Sequence, residues 1–187
     1  MLSRFLAPFL ASLLLLTPGF AQARTVIVDT TDDAPALSAC DDDAPTDCSL
    51  RGAIEAANAA DEHYDIRVPA GTYLLSTPSS CQFSSIFGGE FAYESVSLCN
   101  RKDLAVIGSG ADATVIDAAQ LDRVFVLDKT SIVRMSGLTL THGNQLGGTF
   151  MGGGGGAALN HGTLTLTDVV VVANHSDAGG GGICNQG

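Results

Sequence analysis

The chain has 187 residues, with 20 acidic residues against 9 basic ones and a formal net charge of −11. Such a balance offers no basic surface for nucleic acid or anionic lipid, so we expect no nucleic-acid partner. The length suits one domain of ordinary size behind a short leader.

Residues 1–23 have the pattern of a secretory signal peptide. Arg4 supplies the positive charge, an apolar run follows over 5–16, and Ala21 and Ala23 place small residues before a cleavage site. The alternative, a membrane anchor, would need about 20 apolar residues in a helix. We therefore predict cleavage after Ala23 and an exported mature chain without a transmembrane segment.

Residues 24–65 are predicted to form an N-terminal unit with a strand at 25–28, an acidic disulfide loop and a helix at 47–58. Asp47 or Ser49 can cap the first amides of this helix. Its apolar residues fall on one face at helical spacing. These residues are Leu50, Ala53, Ile54 and Ala57.

Five cysteines remain in the predicted mature chain. Export to an oxidising compartment favours pairing. Two local pairs, Cys40 with Cys48 and Cys81 with Cys99, are the simplest connectivity, although spacing alone leaves other pairings open. Cys184 is then left without a partner. No Cys/His spacing indicates a zinc site.

The loop between the first two cysteines carries the only candidate cofactor ligands that we single out. Asp41, Asp42 and Asp43 could bind Ca²⁺, but they lack the spacing of an EF-hand loop. Apart from this Ca²⁺ candidate, we predict no cofactor.

Residues 66–187 consist of short apolar runs, grouped in threes and separated by polar or glycine-rich turns. Such runs predict strands, and residues 156–162 resemble residues 181–187. We predict an all-β fold, a right-handed parallel β-helix (solenoid) with a short N-terminal capping helix. The residues predicted to point inward are Val106, Val115, Val126, Val133, Leu138, Leu140, Leu164 and Leu166.

Asn160 and Asn185 occupy the same place in the two copies of this repeat. We predict that they stack as a hydrogen-bonded structural ladder.

Two stretches of the chain resemble known exported proteins. Residues 48–54, Cys-Ser-Leu-Arg-Gly-Ala-Ile, are similar to the CSLREA motif of bacterial exported β-helix proteins, with Gly52 where that motif has Glu. Residues 171–174 and 181–183 resemble the repeats of polymorphic outer-membrane proteins. The resemblance implies a pectin-lyase-like fold and secretion or attachment to the cell surface or outer membrane. It also implies more coils and a C-terminal anchor or sorting segment beyond Gly187.

That fold hosts adhesins, passenger domains and polysaccharide lyases alike. We favour a structural, adhesive or passenger role, with extracellular polysaccharide or a host or cell surface as partner. The alternative is a Ca²⁺-dependent polysaccharide lyase of the pectate-lyase-like group acting on acidic polysaccharide.

For a lyase, the sequence offers acids and bases but no motif that selects among them. The acids on the predicted coils do not recur at one position, and the three histidines after residue 140 are expected in exposed turns. We therefore assign no catalytic residue. The candidates are Asp112, Asp117, Asp122, Asp128, Asp168, Arg123 and Arg134, and the histidines are His142, His161 and His175.

Overall fold

A computed structural model describes residues 23–40, 44–84, 90–95, 97–146 and 154–186. The predicted signal peptide before Ala23 and the Ca²⁺ candidates Asp41, Asp42 and Asp43 lie outside the described residues. In the part of the chain that is described, no helix combines the length and the apolar character needed to cross a membrane.

The described residues form fifteen strands and one helix. In chain order they are β1 (Arg24–Ile27), α1 (Leu50–Ala59), β2 (Tyr64–Val68), β3 (Gly71–Leu74), β4 (Ser79–Ser84), β5 (Glu90–Ser95), β6 (Leu98–Asn100), β7 (Asp103–Gly108), β8 (Thr114–Asp117), β9 (Phe125–Leu127), β10 (Ile132–Thr141), β11 (Asn144–Gln145), β12 (Ala158–Asn160), β13 (Thr163–Val172), β14 (His175–Ser176) and β15 (Ile183–Asn185).

Two parallel sheets make up most of the structure. The larger has seven strands in the order β1-β2-β7-β10-β8-β3, with β13 also paired to β10. The smaller has four strands in the order β15-β12-β9-β6. Two further pairs complete the described strands: β4 with β5, which is antiparallel, and β11 with β14, which is parallel.

The predicted closed solenoid is wrong. The prediction treats each short apolar run as a separate strand, but β10 joins two of these runs and pairs with β7 through its first half and with β8 through its second. Strands that the prediction places on different faces of a coil therefore share one open sheet. No closed solenoid occurs among the described residues. Gly137 provides a local reason, because its φ of 60° lets the backbone bend within the strand where other residues would be strained.

The core lies on the inward faces of these sheets, and four of the eight residues predicted to point inward are fully buried there. Val106, Val133, Leu138 and Leu140 are each at most 1% exposed. Val126 is also buried, but in a separate small cluster with two cysteines. Leu164 and Leu166 are half-buried and pack against the core.

The orientation predicted for β8 is wrong. Ile116 points into the core, whereas Val115 is partly exposed. The neighbouring Thr114 is fully buried, and its hydroxyl lies 3.2 Å from the Val68 carbonyl and 3.1 Å from the Pro69 carbonyl. A hydroxyl can be buried when it has hydrogen-bond partners, so hydrophobicity alone assigns the wrong face of this strand to the core.

The helix predicted before residue 60 is confirmed as α1. Ser49 is its N-cap, and the hydroxyl accepts a hydrogen bond from the Gly52 amide at 2.9 Å. All four residues of the predicted apolar face are buried. The helix packs on β2 and β6. In the smaller sheet, β6 is the strand at the opposite end from β15. In the larger sheet, β7 and β10 lie between β2 and β13.

Gly52 sits where the helix touches the preceding loop. A Cβ built on it would lie 1.9 Å from the Leu37 carbonyl oxygen, which also accepts a hydrogen bond from the Ser49 amide. The close approach explains why this position holds the residue that helices otherwise disfavour by about 1 kcal/mol.

We expect Gly52→Ala to lower the free energy of unfolding by about 1–3 kcal/mol, because the overpacking outweighs the helix preference of alanine. Urea unfolding followed by circular dichroism measures the change. Glu55→Ala, on the partly exposed side of the same helix, is the control and should stay within about 0.5 kcal/mol. Stabilisation by Gly52→Ala would contradict the contact with Leu37.

Both local disulfides are present. Cys40 bonds to Cys48 beside the start of the helix, and Cys81 bonds to Cys99, which ties the β4–β5 hairpin to β6. Cys184 is free and partly exposed on β15.

Candidate functional site

One group of charged side chains lies on the outward face of the seven-stranded sheet. We call His63, Asp65, Asp103 and Arg134 the His63 cluster. His63 Nε2 lies 3.1 Å from Asp65 Oδ1, and Nδ1 lies 3.0 Å from Asp103 Oδ1. Arg134 Nη1 donates to the same Asp103 oxygen at 3.0 Å. One imidazole therefore joins two carboxylates, and one of these also holds a guanidinium.

The register of three strands assembles this cluster. Tyr64 of β2 pairs with Leu104 of β7, so the residues just before them, His63 and Asp103, become neighbours. Arg134 of β10 stands beside Ala105 of β7, within reach of Asp103. Because side chains alternate between the faces of a strand, the apolar neighbours point into the core while these charges point outward.

The electrostatics of the cluster are those of a surface network. The side chains are 24% exposed at His63, 31% at Asp65, 45% at Asp103 and 54% at Arg134. Exposed pairs of this kind contribute about 0–1 kcal/mol each. The cluster is therefore accessible to a ligand and adds little to the stability of the fold.

The acids that we singled out as lyase candidates are not brought together. Asp117 Oδ2 lies 2.9 Å from His142 Nδ1, and Asp122 accepts a hydrogen bond from the Ser95 hydroxyl at 2.6 Å. Asp128 accepts from the Thr130 amide within its own turn. The other two, Asp112 and Asp168, are exposed. Within the described residues, no three His, Cys, Asp or Glu side chains converge as metal ligands.

Arg123, Asp128 and His161 form a second, buried group. Their residues are 6%, 4% and 4% exposed. Burial lowers the pKa of His161 below its ordinary value; the nearby Asp128 opposes this shift and Arg123 adds to it. The expectation of an exposed turn is thus wrong for His161; His175 is exposed, and His142 is half-buried.

The lowered pKa of His161 predicts that acidification destabilises the fold. Below about pH 6.5 the unfolded histidine takes up a proton that the folded one resists. This part of the stability is therefore present at neutral pH and is lost as pH falls toward the folded pKa. We expect the Tm of wild type to fall more between pH 7.5 and pH 5 than that of His161→Gln; an equal fall in both would contradict the assignment. Differential scanning calorimetry checks it, with the exposed His175→Gln as the control.

We call the edges of β13 and β15, with the cavity between them, the open end. Among the described strands, β13 pairs with β10 and β15 with β12, each on one side. The cavity has a volume of about 400 Å³. Its lining contains no ionisable side chain and consists of Asn160, Gly162, Thr163, Leu164, Leu166, Ile183 and Asn185.

Asn160 and Asn185 are neighbours at the open end. They pair in register between β12 and β15, and Asn160 Nδ2 donates to Asn185 Oδ1 at 2.6 Å. The same Asn160 side chain bonds the carbonyl and the amide of Gly162, each at 3.1 Å. Asn160 is 4% exposed, so its amide is a buried group with its hydrogen bonds made.

We expect Asn160→Leu to lower the free energy of unfolding by about 1–3 kcal/mol, since it leaves the partly buried Gly162 backbone groups without these partners. Chemical unfolding measures the change, and Asn144→Leu on the partly exposed β11 serves as the control. A variant as stable as wild type would contradict a structural role for the Asn160–Asn185 pair.

Comparison of the chain with protein-family models, with curated protein sequences and with solved structures found no significant match. The resemblance to CSLREA and polymorphic outer-membrane proteins therefore stays a prediction.

His63, Asp65 and Asp103 are not among the residues predicted from the sequence. The available signal was the His-x-Asp spacing, which puts both residues on one face of a strand. The third residue depends on the register between β2 and β7, which no local pattern shows.

Proposed function

We propose that the chain is an exported protein with a structural or adhesive role and that it acts by binding. The observation that carries this proposal is the make-up of the open-end cavity. Amide, hydroxyl and aliphatic groups line it, without an acid, a base or a thiol. Such a lining supplies hydrogen bonds and apolar contact, which suit recognition, and it offers nothing to move a proton during a reaction.

Export is supported by two independent features. The first 23 residues read as a secretory signal, and two disulfides staple the folded part, as is usual for proteins of oxidising compartments. We propose secretion or display at the cell surface or outer membrane, with extracellular polysaccharide or a host or cell surface as the partner.

The test is to compare binding with turnover on the same two polymers. The mature chain is passed over immobilised polygalacturonate and over a neutral glucan, and the same protein is assayed for the ultraviolet absorbance of unsaturated uronate products. We expect no product with either polymer, with or without Ca²⁺. Robust product formation would overturn the binding role.

A second candidate function, a polysaccharide lyase, has one observation in its favour. The His63 cluster places an exposed guanidinium beside two carboxylates on an accessible sheet face. A lyase needs a base that takes the proton next to the uronate carboxyl group, and Arg134 is the candidate. Convergent acidic ligands for a resident Ca²⁺ do not occur among the described residues, so the cluster does not fit that cofactor.

If the chain is a lyase, Arg134→Lys should lower turnover of polygalacturonate by about 10²–10⁴-fold, the range for loss of a general base. Arg67→Lys is the matched control, since Arg67 is exposed on the neighbouring strand β2. Equal turnover by the two variants would remove the lyase from consideration.

A further inference from the structure

We propose that one face of the protein binds an acidic polysaccharide. This face, which we call the cationic face, is the outward side of β2, β7 and β10 together with the turns that lead into β7 and β10. Arg67, Lys129 and Arg134 are the residues that hold the carboxylates of the polymer. The inference rests on the proposed role in binding extracellular polysaccharide, and it adds where the polymer lies and which charge it carries.

Positive charge is concentrated on this face. The chain has nine Lys and Arg residues. Arg4 lies in the predicted leader, and Arg51 and Arg123 are buried. Arg24 begins β1 and pairs with Glu62 at 3.6 Å. The other five are all on the cationic face: Arg67, Arg101, Lys102, Lys129 and Arg134. The rest of the surface is acidic, so a polyanion is attracted to this one side.

Two of these cations are available to a ligand without displacing an acid of the protein. Arg67 and Lys129 are exposed, and neither bonds a carboxylate in the described part of the chain. The third, Arg134, shares the Asp103 carboxylate with His63. The cationic face therefore keeps positive charge that its own acids do not neutralise.

The three cations follow a diagonal across the sheet. Arg67 of β2 pairs with Ile107 of β7, and Ile107 pairs with Ser136 of β10, the strand that carries Arg134. The usual strand spacing puts Arg134 about 10 Å across the sheet from Arg67. Lys129 lies farther along, in the turn that leads into β10. A small anion cannot contact all three, whereas an extended polymer can.

Two carboxylates beside these cations favour a polysaccharide over other polyanions. Asp65 and Asp103 are 31% and 45% exposed on the same face. A uronate ring carries one carboxylate and several hydroxyls, so the cations hold its carboxylate while the aspartates accept hydrogen bonds from its hydroxyls. A nucleic acid presents closely spaced phosphates, which the aspartates repel.

The experiment measures binding of the mature chain to immobilised polygalacturonate, a neutral glucan and poly-glutamate by biolayer interferometry. We expect polygalacturonate to bind about tenfold or more tightly than either of the others, and added salt to weaken its binding. The double variant Arg67→Gln/Lys129→Gln should lower this affinity by about tenfold or more, since charge-assisted hydrogen bonds are lost.

Thr72→Glu/Gln120→Glu is the matched control. It changes the net charge by the same amount at two exposed positions outside the cationic face, and it should leave affinity within about twofold of wild type because screening limits its reach. All four substituted residues are exposed, so both variants should keep the melting curve of wild type, which circular dichroism checks.

Three results would overturn the proposal: no binding of polygalacturonate by wild type, equal affinity for poly-glutamate, or an equal loss in the double variant and the control. Full binding by the double variant would overturn it as well, but would leave the proposed binding role in place. That role fails separately, on robust formation of unsaturated product.

Discussion

Replacing Arg51 with methionine should lower the free energy of unfolding by about 3–5 kcal/mol, the usual effect of removing one partner of a buried ion pair. Arg51 is 1% exposed. Its Nε donates to Asp33 Oδ1 at 2.6 Å, its Nη2 to Asp33 Oδ2 at 3.1 Å, and its Nη1 to the Ser97 carbonyl at 3.0 Å. The substitution leaves the 4%-exposed carboxylate of Asp33 without its counter-charge.

The effect should extend beyond the pair, because Asp33 also accepts hydrogen bonds from the amides of Ser76 and Thr77 at 2.6 and 2.7 Å. One carboxylate thus joins the N-terminal loop, the helix and the segment after β3. Urea unfolding measures the loss, with the exposed Arg67→Met as the control.

A double variant separates the ion pair from general packing. The double variant Arg51→Met/Asp33→Leu contains no unpaired buried charge at this site. Its loss of free energy of unfolding should therefore be smaller than the sum of the losses in the two single variants. Additive losses, or a loss below about 1 kcal/mol in Arg51→Met, would contradict the account of this pair.

The second large effect is expected from the Cys81–Cys99 disulfide. Replacing both residues with alanine should lower the free energy of unfolding by about 2–5 kcal/mol. The bond closes a loop with a sequence separation of 18 and attaches the β4–β5 hairpin to β6. Both cysteines are also buried against Val126, so packing is lost as well.

Cys184→Ala is the control for cysteine removal, since Cys184 forms no disulfide and is partly exposed. It should change stability by less than about 0.5 kcal/mol. The two proteins are compared by chemical unfolding without reductant. If the double alanine variant were as stable as the control, the disulfide would not contribute to the stability of the fold.

Much of the fold was predictable wherever the information is local. The Ser49 cap and the apolar spacing of Leu50, Ala53, Ile54 and Ala57 give α1 without knowledge of the rest of the chain. The two disulfides join cysteines that are close in sequence, so the simplest pairing was also the one formed.

The arrangement of strands was not predictable because it depends on non-local register. The continuity of β10 through Gly137 places strands in one sheet that their lengths and spacing assign to two. Thr114 reversed the expected faces of β8 because its hydroxyl finds buried carbonyl partners. When hydrophobicity is the only criterion, polar residues with buried hydrogen-bond partners are assigned to the wrong face of a strand.

The candidate sites follow the same division. Asn160 and Asn185 were singled out from a repeat within one stretch of the chain, and they are bonded to each other. The His63 cluster draws on β2, β7 and β10, so it appears only once the register is known. The burial of His161 likewise comes from packing that a turn-like sequence does not reveal.

The most direct test of an exported, disulfide-stabilised protein is an intact-mass measurement. The chain is expressed with its own leader in a bacterium, recovered from the envelope or medium, and alkylated under denaturing conditions without reduction. We expect the mass of a chain that begins at Arg24, with two disulfides and one alkylated thiol, at Cys184. A chain that still begins at Met1, with all five cysteines alkylated, would contradict it.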